Sequence, residues 1–160
     1  MVMNPYASYL GDQDPLEVIK ATPRHFAAAL DELGPEGALR SPAPGKWSFR
    51  EVLCHLADAE VVFAFRLKQT LAEPGHSIQP FDQDKWAKPY TSLDARTALE
   101  AFTAVRNWNI AFLATVPEEA YDTRVTHPER GEMTFRTIVE TMAGHDLNHV
   151  QQLGRYTASA

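Results

Sequence analysis

Two histidines near the C-terminal end of the sequence are spaced so that they can bind one metal ion. His145 and His149 lie four residues apart in a segment with helical periodicity, and side chains at positions i and i+4 project from the same face of a helix. Relative to the apolar stripe through Met142, both imidazoles are predicted to point inward. Either histidine alone would be interpreted as a hydrogen-bonded core residue, but the pair indicates a metal site.

A third histidine supplies the ligand that the pair lacks. His55 lies at the edge of the apolar stripe of an earlier helical segment, beside Val52 and Ala59. Three neutral imidazoles and an open coordination position are the arrangement of catalytic zinc sites, where bound water becomes acidic enough to act as a nucleophile near neutral pH. The remaining histidines are predicted to be surface or loop residues: His25, His76 and His127.

Four charged residues are weaker candidates, each with two interpretations. Glu60, on the apolar side of its helix, either orients a ligand histidine or forms a salt bridge or dimer contact. Asp146 tends inward and either joins the metal ligands or orients one of them. Arg106 either binds a substrate carboxylate through two nitrogens or forms an ion pair on the helix surface. Asp82 is a candidate proton acceptor if its long loop folds over the ion, unless that loop is held by Trp86 for structural reasons alone.

Four helical segments must position these side chains. Asp14 before a proline, and Ser48 followed three residues later by a glutamate, are typical helix N-terminal caps; Ser92 is predicted to cap the third helix. Pro23 is expected to break the first helix, because proline removes a helical hydrogen bond. The predicted helices span about 15–33 with a break near 23, 48–71, 92–116 and 134–157.

The links between these helices are long. Residues 72–91 form a connection of a length that is often functional, and Pro128 and Gly131 in the link 117–133 favour a turn or a short hairpin. Four amphipathic helices with little strand signal predict an all-α four-helix bundle, in a single domain over residues 1–160. Long links permit a connectivity other than simple up-and-down.

Composition restricts the class of partner. The 160 residues include 15 Lys and Arg against 21 Asp and Glu, a net charge of −6, which argues against nucleic acid and against anionic membrane surfaces. The single cysteine, Cys54, excludes an internal disulfide and is expected to pack as a small apolar residue. No apolar run is long enough to span a bilayer and no secretory leader is visible, so a cytoplasmic protein is expected.

Three stretches carry a resemblance to a known family. Residues 44–60, which contain Trp47, Ser48 and His55, resemble the second-helix signature of the DinB/YfiT-like superfamily. Residues 145–152 resemble its C-terminal metal motif, and residues 81–87 resemble its YfiT-like branch. The resemblance extends over nearly the whole chain from Asp14 onward. It implies a four-helix bundle, commonly a homodimer, with a divalent metal held by three histidines that correspond to His55, His145 and His149.

The resemblance also implies an activity. Members of the superfamily resemble metal-dependent hydrolases, or thiol S-transferases that use a low-molecular-weight thiol such as bacillithiol or mycothiol on a small-molecule substrate. Imidazole ligands suit zinc, nickel, iron and copper, of which zinc or nickel is expected. Two other hypotheses remain open. The first is a non-catalytic metal-binding or ligand-binding stress protein, in which Asp146 or Asp82 completes the coordination of the ion as a fourth ligand. The second is a purely structural bundle with core histidines.

Overall fold

Most residues of the computed structural model, which describes residues 4–157, lie in four long helices. Shorter helical segments and one two-stranded hairpin connect them. In chain order the α-helices are α1 (Ala7–Leu10), α2 (Pro15–Gly37), α3 (Phe49–Ala72), α4 (Gln83–Trp86), α5 (Ala95–Leu113), α6 (Phe135–Val150) and α7 (Gly154–Thr157). The strands are β1 (Arg124–His127) and β2 (Gly131–Thr134), and single 3₁₀ turns lie at Tyr90–Ser92 and Glu118–Asp122.

The long helices begin where a side chain accepts hydrogen bonds from the first free backbone amides. Asp14 accepts from two amides of α2, and Ser48 forms a reciprocal capping box with Glu51 at the start of α3. The third long helix begins after Asp94, whose carboxylate accepts from the Thr97 amide. The prediction that Ser92 caps this helix is therefore wrong, because Asp94 satisfies the free amides two residues later.

The bundle brings the third long helix between the first two. α5 packs against both α2 and α3, α6 also packs against both, and α2 and α3 themselves barely meet. The order around the bundle is therefore α2, α5, α3, α6, with α2 and α3 on a diagonal. The predicted all-α four-helix bundle is confirmed, and the long links allow its non-sequential order. Within the described residues, no helix combines the length and hydrophobicity needed to cross a membrane.

The apolar stripe of α3 is buried as its spacing predicts. The stripe residues that the core covers are Val52, Leu56, Ala59, Phe63 and Leu67. They belong to two clusters of buried apolar side chains, one around Phe63, Phe135 and Met142 and the other around Phe26 and Phe49. Burial of such stripes is the main free-energy term that holds amphipathic helices together.

The first long helix continues through Pro23, so the expected break there is wrong. Pro23 has no amide to bond the carbonyl of Ile19, four residues earlier. Arg106 from α5 replaces that donor, with its Nη1 2.8 Å from Ile19 O. The helix is interrupted instead at Gly34, whose φ of 65° lies in the left-handed region that glycine adopts most easily.

The links are fastened to each other. β1 and β2 pair antiparallel within the link 117–133, which confirms the predicted turn or hairpin. The long loop after α3 runs beside β1, where the Ile78 amide donates to Thr126 O at 2.8 Å and the Thr126 amide donates to His76 O at 3.0 Å. The last helix, predicted over 134–157, ends at Val150 and is followed by a turn and α7.

Candidate metal centre

Three imidazoles from two helices converge at one point in the bundle. His55 comes from α3, and His145 and His149 come from α6; one ligand nitrogen from each lies within 4.8 Å of the others. The Nε2 atoms of His55 and His145 are 2.9 Å apart. Two nitrogens bound to one tetrahedral ion at 2.0–2.1 Å each lie about 3.3 Å apart. The cluster therefore has nearly the spacing that a shared ion requires.

The imidazoles are buried and held in their neutral form. Burial lowers the pKa of His55 to about 4 and, together with the neighbouring His55 ring, lowers that of His149 to about 3. Burial followed by the two neighbouring histidines lowers the pKa of His145 well below its ordinary value. Because only a neutral imidazole has a lone pair to donate, the three rings are in the state that metal binding needs.

Two ring nitrogens of the cluster have no hydrogen-bond partner among the described residues. The Nδ1 atoms of His55 and His149 are buried and accept or donate no hydrogen bond within residues 4–157. The 2.9 Å contact between the Nε2 atoms of His55 and His145 can hold only one proton. A cation at this contact can accept the lone pairs of both nitrogens, so this donor set fits a bound cation better than an internally bonded core.

Aromatic side chains pack around the three histidines. The ring of Trp47 packs on His55 with 5.1 Å between centroids, and the ring of Tyr6 meets His145 edge-on at 5.4 Å. Tyr6 reaches this position because α6 has a glycine at 144: a Cβ there would lie 2.5 Å from the Tyr6 carbonyl oxygen. Gly144 thus lets the segment before α1 lie directly on α6, next to His145 and His149.

A cavity of about 160 Å³ opens beside the cluster. His55 and His145 line it, together with apolar side chains from α3 and two arginines, Arg66 and Arg130. Sequence reasoning missed both arginines and Tyr6, because they come from separate segments and carry no shared motif. The cavity gives a small molecule access to two of the three imidazoles.

Glu60, Arg106 and Asp146 meet one another. Arg106 Nη2 lies 2.7 Å from Glu60 Oε2, and Arg106 Nη1 lies 2.6 Å from Asp146 Oδ2. All three side chains are only 1% exposed, so this ion pair is buried, in contrast to the surface pair considered for Arg106. Asn109 Nδ2 donates to the second oxygen of Glu60 at 2.7 Å. Together with Ile19 O, this network joins α2, α3, α5 and α6.

The positive charge of Arg106 is fixed by its partners in this network. Burial alone would lower the pKa of Arg106, but Asp146 and Glu60 outweigh it and raise the pKa. Both oxygens of Asp146 accept from Arg106. Both terminal nitrogens of Arg106 donate within the network, so the guanidinium has no terminal nitrogen left for a substrate. Each of these residues is placed to hold the helices that carry the histidines.

Asp82 lies at the start of α4, outside the cavity wall. Its carboxylate accepts from the Lys85 amide at 3.1 Å and pairs with Lys85 Nζ at 3.0 Å, with 49% of its side chain exposed. Hydrogen bonds from Lys85 lower its pKa, which makes it a weaker proton acceptor. Its neighbours Phe81 and Gln83 are the residues of this loop that line the cavity.

The other histidines and the cysteine lie away from the cluster. His25 is exposed and His76 is half-buried. His127 is a buried residue of β1, so its prediction as a surface or loop residue is wrong. The hairpin turn folds back over it, and the Glu129 amide donates to His127 Nδ1 at 3.2 Å. Cys54 is buried in the core, and burial raises the pKa of its thiol to about 11.

The sequence and the fold have counterparts among known proteins. A protein of Oceanobacillus iheyensis named "Putative metal-dependent hydrolase" is 24% identical over 139 residues, which cover 86% of this chain and 80% of that protein. YfiT from Bacillus subtilis, described as a probable metal-dependent hydrolase with an unusual four-helix bundle topology, superposes with a TM-score of 0.80 at 21% identity. That superposition covers 90% of this chain and 86% of YfiT.

A second solved structure shares the fold. A mycothiol-dependent maleylpyruvate isomerase superposes with a TM-score of 0.70 at 12% identity, covering 88% of this chain and 59% of the isomerase. The model of the DinB superfamily matches residues 19–153, which include all three histidines of the cluster. The match extends over most of the sequence, and the chain therefore belongs to the DinB superfamily.

Proposed function

We propose that this protein is a metal-dependent hydrolase of a small-molecule substrate, in which His55, His145 and His149 hold one divalent ion. The observation that carries the proposal is the convergence of three buried, neutral imidazoles beside a cavity. The names of the relatives, which describe metal-dependent hydrolases, support the same reaction class. Three imidazoles suit zinc or nickel as the ion.

The roles of the chain's own residues follow from their positions. An ion held by three neutral imidazoles lowers the pKa of a water or thiol at its free position, which makes the anion available as a nucleophile. His145 and His149 stay fixed relative to each other because they share one helix, and the Arg106 network holds α6 against α3. Trp47, Tyr6 and Phe63 exclude bulk water from the imidazoles.

A free coordination position distinguishes this proposal from a non-catalytic metal site. Among the described residues, no carboxylate belongs to the ligand cluster. Asp146 accepts from Arg106 through both oxygens, and Asp82 pairs with Lys85 outside the cavity. Neither carboxylate is therefore available as a fourth ligand, and an ion held by the three histidines would keep a position for water or a substrate.

Thiol transfer is the second candidate reaction. The isomerase that shares this fold is described as mycothiol-dependent, and a low-molecular-weight thiol would use the same free position as water. Cys54 is buried, so a thiol nucleophile would come from a co-substrate. Hydrolysis of an ester or amide panel with and without added thiol separates the two reactions.

Two properties of the whole protein complete the proposal. The outer face of α3 and α5 exposes apolar side chains, which supports a homodimer formed through that face. The single buried cysteine is compatible with the reducing environment of the cytoplasm.

Elemental analysis of protein purified without a metal-affinity column tests the site. We expect about one divalent ion per chain in the wild type. In H55Q and H149Q the affinity for this ion should fall by more than about 100-fold, which is more than the effect typical of residues that only orient ligands. The matched control is H25Q, which removes an exposed histidine and leaves the ion in place. Circular dichroism verifies that each variant is folded. Wild-type protein that binds neither zinc nor nickel would refute the proposed function.

A further inference from the structure

Two arginines line the cavity that also contains His55 and His145. Arg66 comes from α3 and Arg130 from the turn between β1 and β2. Arg66 is close enough for Arg130 to affect its titration: burial and then Arg130 lower the pKa of Arg66 to about 10. Two positive side chains therefore share one small, partly buried space.

Their charges are not neutralised within the described part of the chain. None of the ion pairs formed by residues 4–157 includes Arg66 or Arg130, and the cavity wall contains no carboxylate. Arg66 Nη2 donates only to Gln79 O, at 3.3 Å, and its guanidinium lies 6.0 Å from the centre of the Phe81 ring. Glu129 is next to Arg130 in sequence but is exposed. Half-buried like charges cost free energy unless an anion binds between them.

The second arginine is on a preorganised turn. The Arg130 amide donates to His127 O at 3.1 Å, and the adjacent Glu129 amide donates to His127 Nδ1 at 3.2 Å. β1 is in turn bonded to the loop after α3, through Ile78 and Thr126. A fixed turn loses little entropy when its side chain binds a ligand, which favours affinity.

The chemistry of the walls defines the ligand. Guanidinium groups recognise carboxylate and phosphate oxygens through paired, charge-assisted hydrogen bonds. The rest of the wall is largely apolar and includes Ala59, Val62 and Phe63. A volume of about 160 Å³ accepts a small group, or one end of a larger molecule.

We propose that Arg66 and Arg130 bind an oxyanion, carboxylate or phosphate, of a small substrate whose apolar part lies in the same cavity. The inference rests on the proposed function, and it names the class of substrate: an anion with a short apolar body next to its charged group. An anion bound by the two arginines keeps the remainder of the molecule against His55 and His145.

Binding of three small aromatic probes to the metal-free protein tests this inference. The probes are benzoate, phenyl phosphate and the uncharged benzamide, titrated calorimetrically in Tris buffer of low ionic strength. We expect at least one anion to bind about 10-fold or more tightly than benzamide, as charge-assisted hydrogen bonds to buried groups predict. Tighter binding of benzoate identifies a carboxylate as the natural group, and tighter binding of phenyl phosphate identifies a phosphate.

Variants locate the binding and separate the two proposals. R66Q and R130Q should each lower the affinity of the protein for the anion by about 10-fold. R24Q, which removes an exposed arginine on α2, should leave this affinity unchanged. Equal binding of benzamide, no binding of either anion, or full affinity in R66Q and R130Q would overturn the inference. Zinc and nickel stoichiometries are measured on the same samples. Wild-type protein that binds the anion but neither metal would contradict the proposed function alone. Wild-type protein that binds one of the metals but no anion would contradict this inference alone.

Discussion

His55, His145 and His149 are buried side chains that the folded protein keeps neutral. An unfolded chain exposes the same imidazoles to water, where they take up protons below about pH 6.5. The folded, metal-free protein excludes those protons until about pH 4 at His55 and about pH 3 at His149. The histidines thus make the metal-free protein sensitive to mild acid.

The lowered pKa values of these histidines predict how the stability of the metal-free protein depends on pH. Because the unfolded state binds more protons below pH 6.5, the free energy of unfolding of the metal-free protein should fall as pH is lowered from 6.5 toward 4 and stay level with respect to these groups above 6.5. Each histidine contributes a slope of up to about 1.4 kcal/mol per pH unit. Urea unfolding of chelator-treated protein at several pH values measures this slope.

A histidine variant isolates the contribution from those of the carboxylates. Between pH 6 and 5, H55Q should reduce the slope by the contribution of about one proton, which is about 1.4 kcal/mol per pH unit. H25Q, at an exposed position, should retain the wild-type slope. Identical slopes in the wild type and H55Q would contradict the assignment of a neutral, buried His55.

At the scale of the elements, one buried arginine connects all four long helices. Arg106 of α5 donates to Glu60 of α3, to Asp146 of α6 and to the carbonyl of Ile19 in α2. The last contact replaces the hydrogen bond that Pro23 cannot make, so the proline and the arginine are physically coupled. Since Asp146 is adjacent to His145, the network also fixes the helix that carries His145 and His149.

Removal of the arginine should be strongly destabilising. R106M leaves two buried carboxylates without a cation, and the loss of one partner of a buried ion pair typically costs about 3–5 kcal/mol. The control R96M removes an arginine from the exposed pair with Asp31 and should leave the stability nearly unchanged, because exposed ion pairs contribute little. Urea unfolding at pH 7 compares the two variants.

A compensating variant separates charge from packing. Addition of E60Q and D146N to R106M removes both uncompensated charges, so part of the lost stability should return. If R106M proves as mild as R96M, the network does not hold the bundle together.

For the whole molecule, the outer face of α3 and α5 is an exposed apolar surface, which is unfavourable in water. Phe65 and Trp108 are 61% and 65% exposed, and Val61 is exposed one turn before Phe65. Lys68, on the same helix, lies 5.9 Å from the Trp108 ring, which indicates that the two helices contribute to one continuous patch. Exposed apolar patches of this kind are typical of protein interfaces.

The dimer proposed through this face has a direct test. Light scattering at several concentrations should give a dimer for the wild type and a weaker dimer, by at least about 10-fold in Kd, for F65D, because aromatic anchors dominate interface energetics. L39D places the same charge at another exposed apolar residue, in the turn after α2, and should leave the dimer intact. A monomeric wild type, or an F65D dimer of unchanged affinity, would exclude this face as the interface.

Much of this molecule follows from local sequence. The caps at Asp14 and Ser48 and the apolar stripe of α3 act within a few residues of one another, so the helices and their buried faces could be predicted. The spacing of His145 and His149 fixes their shared face for the same reason, and their grouping with His55 required only that two apolar faces meet. Membership of the DinB superfamily is confirmed by the match over residues 19–153.

Tertiary packing decided the rest. Whether Glu60, Asp146 and Arg106 face a metal, a substrate or one another depends on the order of helices around the bundle, which long links leave open. Helicity through Pro23 depends on a donor from another helix. Arg66 and Arg130 are 64 residues apart in sequence and share a cavity only because the hairpin is fixed beside α3. The sequence by itself therefore determined the helices and the candidate ligands, since those depend on local periodicity, and only the folded structure determined their charged partners, since those depend on contacts between distant segments.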